Sequence, residues 1–122
     1  MNQQDQAIEQ EIVAKGKTAP RVTPADIEAN IKHEVYFVAS EAVDVTAVLA
    51  NPTLELLTFC VITLQNGFTI TGESACASPE NFDAEIGRKV ARANAIQKMW
   101  PLLGYQLKEQ LFQRTQPAHA PE

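Results

Sequence analysis

Residues 72–87 read GESACASPENFDAEIG, and most side chains equipped for binding chemistry lie there or close by. A small-residue turn from Ser74 to Ser78 feeds a helix start, where backbone N–H groups without intrahelical partners can hold a phosphate or another anion. Asn81 offers both a donor and an acceptor to a base edge or ribose hydroxyl, and Asp83 can accept from ribose hydroxyls or an exocyclic amine. Phe82 and, upstream, Phe68 present faces on which a purine can stack. Each residue also has a structural reading: Asn81 as a helix cap, Phe68 as core, Phe82 as a staple at the helix start.

Charge adds a second group of candidates. The chain carries a net charge of −5, yet residues 79–114 hold six Lys/Arg against four acids, a net +2, which leaves −7 for the rest. Arg88, Arg92 and Lys98 are therefore candidates for a small anionic ligand, against the alternative of a solvated helix face. An acidic chain has no cationic footprint for DNA or RNA, so no nucleic-acid partner is expected.

Catalytic chemistry is thinly represented. His33 follows a helix and His119 lies in the C-terminal tail, so neither reads as a positioned general base. Glu73, Glu80, Asp83 and Glu85 form an acidic group that capping and helix-dipole roles explain. Cys60 and Cys76 have no metal-ligand spacing and form no disulfide framework; Cys60 reads as core and Cys76 as a free thiol near a turn. There is no phosphate loop of the GxxxxGKS type and no dinucleotide glycine fingerprint. The expectation is a protein that is not an enzyme and has neither cofactor nor metal.

The elements that must position these residues follow from local patterns. Residues 1–20 are polar and read as helical or disordered, with Ile8, Ile12 and Val13 on one side of any helix. Thr23-Pro24-Ala25-Asp26 is a helix start, with Thr23 as cap and Pro24 in the first turn. That helix is expected to end near His33, because Val35-Tyr36-Phe37-Val38 has strand chemistry. Residues 41–52 are open between a short strand and a loose turn. Asn66-Gly67 between 57–65 and 68–73 predicts a β-hairpin with a two-residue type I′ turn. In that register Thr63 faces Ile70, and Phe59, Val61, Phe68 and Ile70 share a side. The first hairpin strand is apolar on both faces, as a central strand or one covered by another subunit would be. Ser78 or Asn81 is expected to cap the next helix, whose inward stripe reads Ile86, Val90, Ala93, Ile96, Trp100. Pro101 is expected to stop or kink it, with a corner at 102–105 and a last helix over 106–114.

The expected fold is therefore α+β: a small antiparallel sheet centred on the hairpin, packed with two or three helices, and oligomeric. The division is a polar segment 1–20, a single domain 21–114 and a disordered tail 115–122. The chain has 122 residues, enough for one core. No apolar run reaches the length of a membrane span, and the polar N-terminus is no signal peptide, so the expected location is the cytoplasm.

Asn66-Gly67-Phe68, Ser74-Ala75-Cys76, Pro79 to Asp83, Glu85-Ile86-Gly87, Lys98 to Trp100 and Gly104-Tyr105-Gln106-Leu107 occur in an order that resembles a family of small proteins of tailed phages and prophages. Some members are similar to the Thoeris anti-defence sponges, which bind a cyclic ADP-ribose isomer made from NAD by bacterial TIR proteins and hold it intact. The resemblance implies a protein that sequesters such a nucleotide without cleaving it, built from dimers into oligomers as large as a hexamer, with cyclic oligonucleotides as ligands of a separate site in some members. The Asn-x-Asp element of those proteins matches Asn81 and Asp83. Arg88, Arg92 and Lys98 for the phosphates, with Phe68 or Phe82 under the adenine, are inferences from charge and position. The alternative is a phage accessory protein that binds and inhibits a host protein; a nucleotide hydrolase is a third reading, without a base or metal set to support it.

Overall fold

The apolar run that follows Leu56 becomes the central strand of a three-stranded antiparallel sheet. The structure, a computed structural model, describes residues 3–117. In chain order the elements are α1 (Gln3–Ala14), α2 (Pro24–Ala29), β1 (Ile31–Val38), α3 (Val45–Ala50), β2 (Leu57–Leu64), β3 (Thr69–Ala75) and α4 (Ala84–Arg114), with 3-10 turns at Ala39–Ala42, Pro52–Leu56 and Pro79–Asn81. The sheet order is β1-β2-β3, and α4 packs across one face of it. The fold is α+β, an antiparallel sheet built on a β-hairpin with four α-helices among the described residues.

Thr23 caps α2 as its sequence predicts: its hydroxyl accepts from the Asp26 N–H at 3.1 Å, and the Asp26 carboxylate accepts from the Thr23 N–H at 2.9 Å. The helix is shorter than expected. It stops at Ala29, because the Asn30 carbonyl and amide oxygens both accept from the Gln65 N–H, at 3.0 and 3.1 Å, and tie the start of β1 to the hairpin turn. Ile31 and His33 thus belong to the strand.

The hairpin forms, but its register differs by one residue from the type I′ expectation. The connection has three residues: the Leu64 N–H donates to the Phe68 carbonyl at 2.8 Å, and the Gly67 N–H to the Leu64 carbonyl at 2.9 Å. Gly67 takes φ +91 and no non-glycine residue has positive φ among the described residues, so only the last loop position is left-handed. Ile62 therefore pairs with Ile70, and Thr63 with Thr69. This one-residue shift changes which face each β3 side chain occupies. Ile70 joins Cys60, Ile62 and Leu64 in the core, while Thr69, Thr71 and Glu73 share the opposite face with Phe59 and Val61.

Pro101 does not stop the last helix: α4 runs unbroken from Ala84 to Arg114, with no corner at 102–105. Its inward stripe also differs from the expected one. Gly87, Ala91, Ala95, Ile96, Met99 and Leu103 are buried, whereas Ile86 and Val90 are exposed. The reason is how closely helix and sheet approach. A Cβ at Gly72 would collide with the Ala91 carbonyl oxygen and the Ala95 nitrogen, so only small residues fit on both sides of the seam. The ambiguous 41–52 region is neither strand nor loose turn; Asp44 caps α3 by accepting from the Ala47 N–H at 2.9 Å.

The polar N-terminal segment forms α1, which lies beside α2 and α4 of its own chain. Ile8 and Ile12 line a hollow with Val22, Pro24 and Trp100, and the Arg21 guanidinium donates to both Glu9 carboxylate oxygens. Among the described residues no helix is long and apolar enough to cross a membrane. The expectations for His119 and most of the tail lie outside the described residues.

Candidate functional site

The site predicted from 72–87 lies where three elements meet: the end of β3, the 3-10 turn Pro79–Asn81 and the N-terminus of α4. Ser74 pairs with Thr58 across β2 and β3, which places it one strand-width from the first turn of α4. The Asn81 N–H donates to the Ser78 carbonyl at 3.0 Å and the Phe82 N–H to the Pro79 carbonyl at 3.2 Å, closing the turn. Neither Ser78 nor Asn81 caps α4. Asp83 does, its carboxylate accepting from the Ile86 N–H at 3.0 Å. The Asn81 side chain is exposed and Phe82 is half-buried.

The three basic candidates on α4 have different surroundings. Arg92 is held by acids of its own chain, donating to Glu28 at 2.8 Å and to Glu34. The hydrogen bond from Arg92 keeps the Glu28 carboxyl below the ordinary carboxylate range, and the two acids raise the Arg92 guanidinium further above its own. Lys98 donates to the Thr71 carbonyl at 2.7 Å, with Glu73 at 4.0 Å. Arg88 has no hydrogen bond or ion pair to any described residue, and it is exposed. It is the one candidate cation of the three whose charge is not engaged.

Arg88 borders a cleft of about 150 Å³ together with Ala84, Thr58, Tyr36, Phe37, Val38 and Glu41. Thr58 is 2% exposed, and its hydroxyl oxygen is buried without a hydrogen-bond partner. One carboxylate oxygen of Glu41 is committed, accepting from the Val38 N–H at 2.8 Å. Burial, with Cys60 close by, pushes the Tyr36 hydroxyl up to about 12, and the hydroxyl donates to the Glu34 carboxylate at 3.4 Å. Burial likewise raises the Cys60 thiol. Thr58 is one of two threonines in the otherwise apolar β2, and nothing in the sequence sets it apart from Thr63; Tyr36 and Glu41 come from a segment that gives no signal of a site.

Phe68 is not part of this end of the molecule. It is 55% exposed beside the hairpin turn, in a hollow of about 380 Å³ lined by Leu64, Leu102, Leu103 and Gln106. The length of β3 separates it from Ser74, roughly 20 Å at a strand's rise per residue. Phe68 and Phe82 therefore cannot flank one base within a single chain. Lys98 stands ten residues beyond Arg88 on α4, about 15 Å along the helix. Ser74, Asn81, Phe82, Asp83 and Arg88 are gathered at one end; Arg92, Lys98 and Phe68 lie progressively farther from it.

Among the described residues no group of His, Cys, Asp or Glu is placed to hold a metal ion, and both cysteines are free. These features are those of a small α+β protein with a polar cleft where its long helix begins. The chain belongs to the Phage protein (N4 Gp49/phage Sf6 gene 66) family, whose family model matches residues 22–111. That span takes in α2, the sheet and nearly all of α4, and leaves α1 outside. No curated protein and no solved structure matches the chain.

Proposed function

We propose that this phage protein works inside the host cytoplasm as a sponge, binding a cyclic ADP-ribose-type signalling nucleotide and holding it intact, and so inhibits Thoeris defence. The observation that carries the reading is the uncommitted Arg88 at the open N-terminus of α4, adjoining the exposed Asn81 and the Asp83 cap. A helix start and a free guanidinium suit a diphosphate, and Asn81 suits a base edge or ribose. Asp83 has one carboxylate oxygen in the cap and a second left to accept from a hydroxyl.

The cleft's volume bears on assembly. About 150 Å³ accommodates a phosphate but is smaller than a pocket for a dinucleotide-sized ligand. The rest of the ligand would lie against a second subunit, in an oligomer built from dimers, as large as a hexamer, with cyclic oligonucleotides as further ligands. Phe68 of one chain can contribute only in such an assembly.

The reading is tested by heating protein purified from cells that also express an active TIR enzyme, and identifying released small molecules by mass spectrometry. An intact cyclic ADP-ribose isomer in stoichiometric amount is expected; its absence, or recovery of only hydrolysed product, contradicts the proposal. One observation favours the alternative of a host-protein inhibitor: Val35, Phe37, Phe59 and Val61 lie on the sheet face away from α4, with Phe37 and Phe59 stacked at 5.2 Å. A pull-down from host lysate that yields one stoichiometric protein partner and no nucleotide would support that alternative.

A further inference from the structure

We infer that the cleft between Thr58 and Arg88 is a phosphate-group site in which the Thr58 hydroxyl is a ligand-binding donor. It deepens the proposed function, on which it rests for the natural source of the phosphate. Three independent features converge there. First, Ala84 and Glu85 open a helix of 31 residues, and their N–H groups have no partner within it. Second, the Arg88 guanidinium, one turn later on the same face as Ala84, borders the cleft with no acid engaged to it. Third, Thr58 keeps a hydroxyl buried without a partner, a state that costs stability.

The third feature separates a site from a mere helix end. The other residues in the core-facing row of β2, Cys60, Ile62 and Leu64, are apolar, and valine has nearly the same shape as threonine. A buried hydroxyl there without a protein partner suits an occupant that accepts from it. Gly87 makes the room: a Cβ at that position would stand 2.9 Å from the Thr58 hydroxyl oxygen. The nearby acids each have a partner in this chain, and only Glu85 has a cationic one. Asp83 caps α4, Glu85 pairs with Lys89 at 3.3 Å, and Glu41 accepts from Val38. Glu41 is the acid that a bound phosphate would meet across the cleft. Glu41→Gln keeps the acceptor for Val38 while removing that charge, so it should tighten phosphate binding.

The test uses two probes on wild type, Thr58→Val and Arg88→Gln. In amide NMR spectra, inorganic phosphate or pyrophosphate should shift Ala84, Glu85 and Thr58 saturably in wild type. Thr58→Val should weaken this binding about tenfold or more, the loss expected for a hydrogen bond to a charged group. The same variant should unfold at equal or higher denaturant concentration, because an unsatisfied hydroxyl has gone. Saturable shifts lost in both variants support the site even if no cyclic ADP-ribose isomer binds; the sponge reading alone would then fall. If a cyclic ADP-ribose isomer binds wild type and Thr58→Val equally, the site is overturned while the sponge reading stands. The absence of phosphate-dependent shifts in wild type, with Thr58 satisfied by water alone, also overturns it.

Discussion

Arg88 and Arg92 stand one turn apart on α4 and serve different ends. Arg92 bridges Glu28 and Glu34, joining α2 and β1 to the long helix, whereas Arg88 meets open space beside the helix start. Arg92→Gln should therefore lower stability by about 1 kcal/mol, a modest value for partly exposed pairs, as read by urea unfolding. Arg88→Gln should change stability by less than about 0.5 kcal/mol. The Glu28–Arg92 pair also sets a pH dependence. A carboxyl with a lowered folded pKa contributes stability above its unfolded value and loses that contribution as the pH falls through the folded value. Wild type should thus lose stability on acidification below the ordinary Glu range, and Arg92→Gln should lose less over the same interval; identical acid limbs would contradict the pairing.

At the scale of elements, the seam between β3 and α4 dominates. Gly72→Ala places a methyl group against the backbone of Ala91 and Ala95, and it should cost about 3 kcal/mol or more in denaturant unfolding. Pro101→Ala should act in the other direction. A proline inside a helix lacks one backbone hydrogen bond, so the variant should gain about 1–3 kcal/mol by the same measurement. These two positions also show what the sequence concealed. The hairpin, the Thr23 cap and the apolar central strand were legible because each depends on local chemistry. The continuity of α4 was not, because packing of Met99 and Leu103 around Pro101 outweighs a local penalty. Its buried face was missed because Gly87, Ala91 and Ala95 carry little hydrophobic signal, while Ile86 and Val90 carry a strong one and face outward. Asn-Gly fits a two-residue or a three-residue loop, so the register followed from burial of Ile70 instead. Of the site, residues 74–83 were legible as a turn and helix start. Which Asx residue caps, and that Thr58 closes the cleft, depend on how β2 meets α4.

At the scale of the molecule, one side of the sheet is covered by α4 and the other bears Val35, Phe37, Phe59 and Val61, with Val35 55% exposed. A second subunit over this face would cover the apolar surface. Light scattering during size exclusion should give a mass at least twice 13.4 kDa, and Val35→Lys should reduce it; a monomer at micromolar concentration would contradict assembly. The most direct test of the proposed function is calorimetric titration of the folded wild-type protein with cyclic ADP-ribose isomers, followed by recovery of the ligand. Saturable binding of one isomer, recovered chemically unchanged and weakened about tenfold or more by Arg88→Gln, is the predicted result. No heat of binding with any isomer, or recovery of a hydrolysed product, would contradict it.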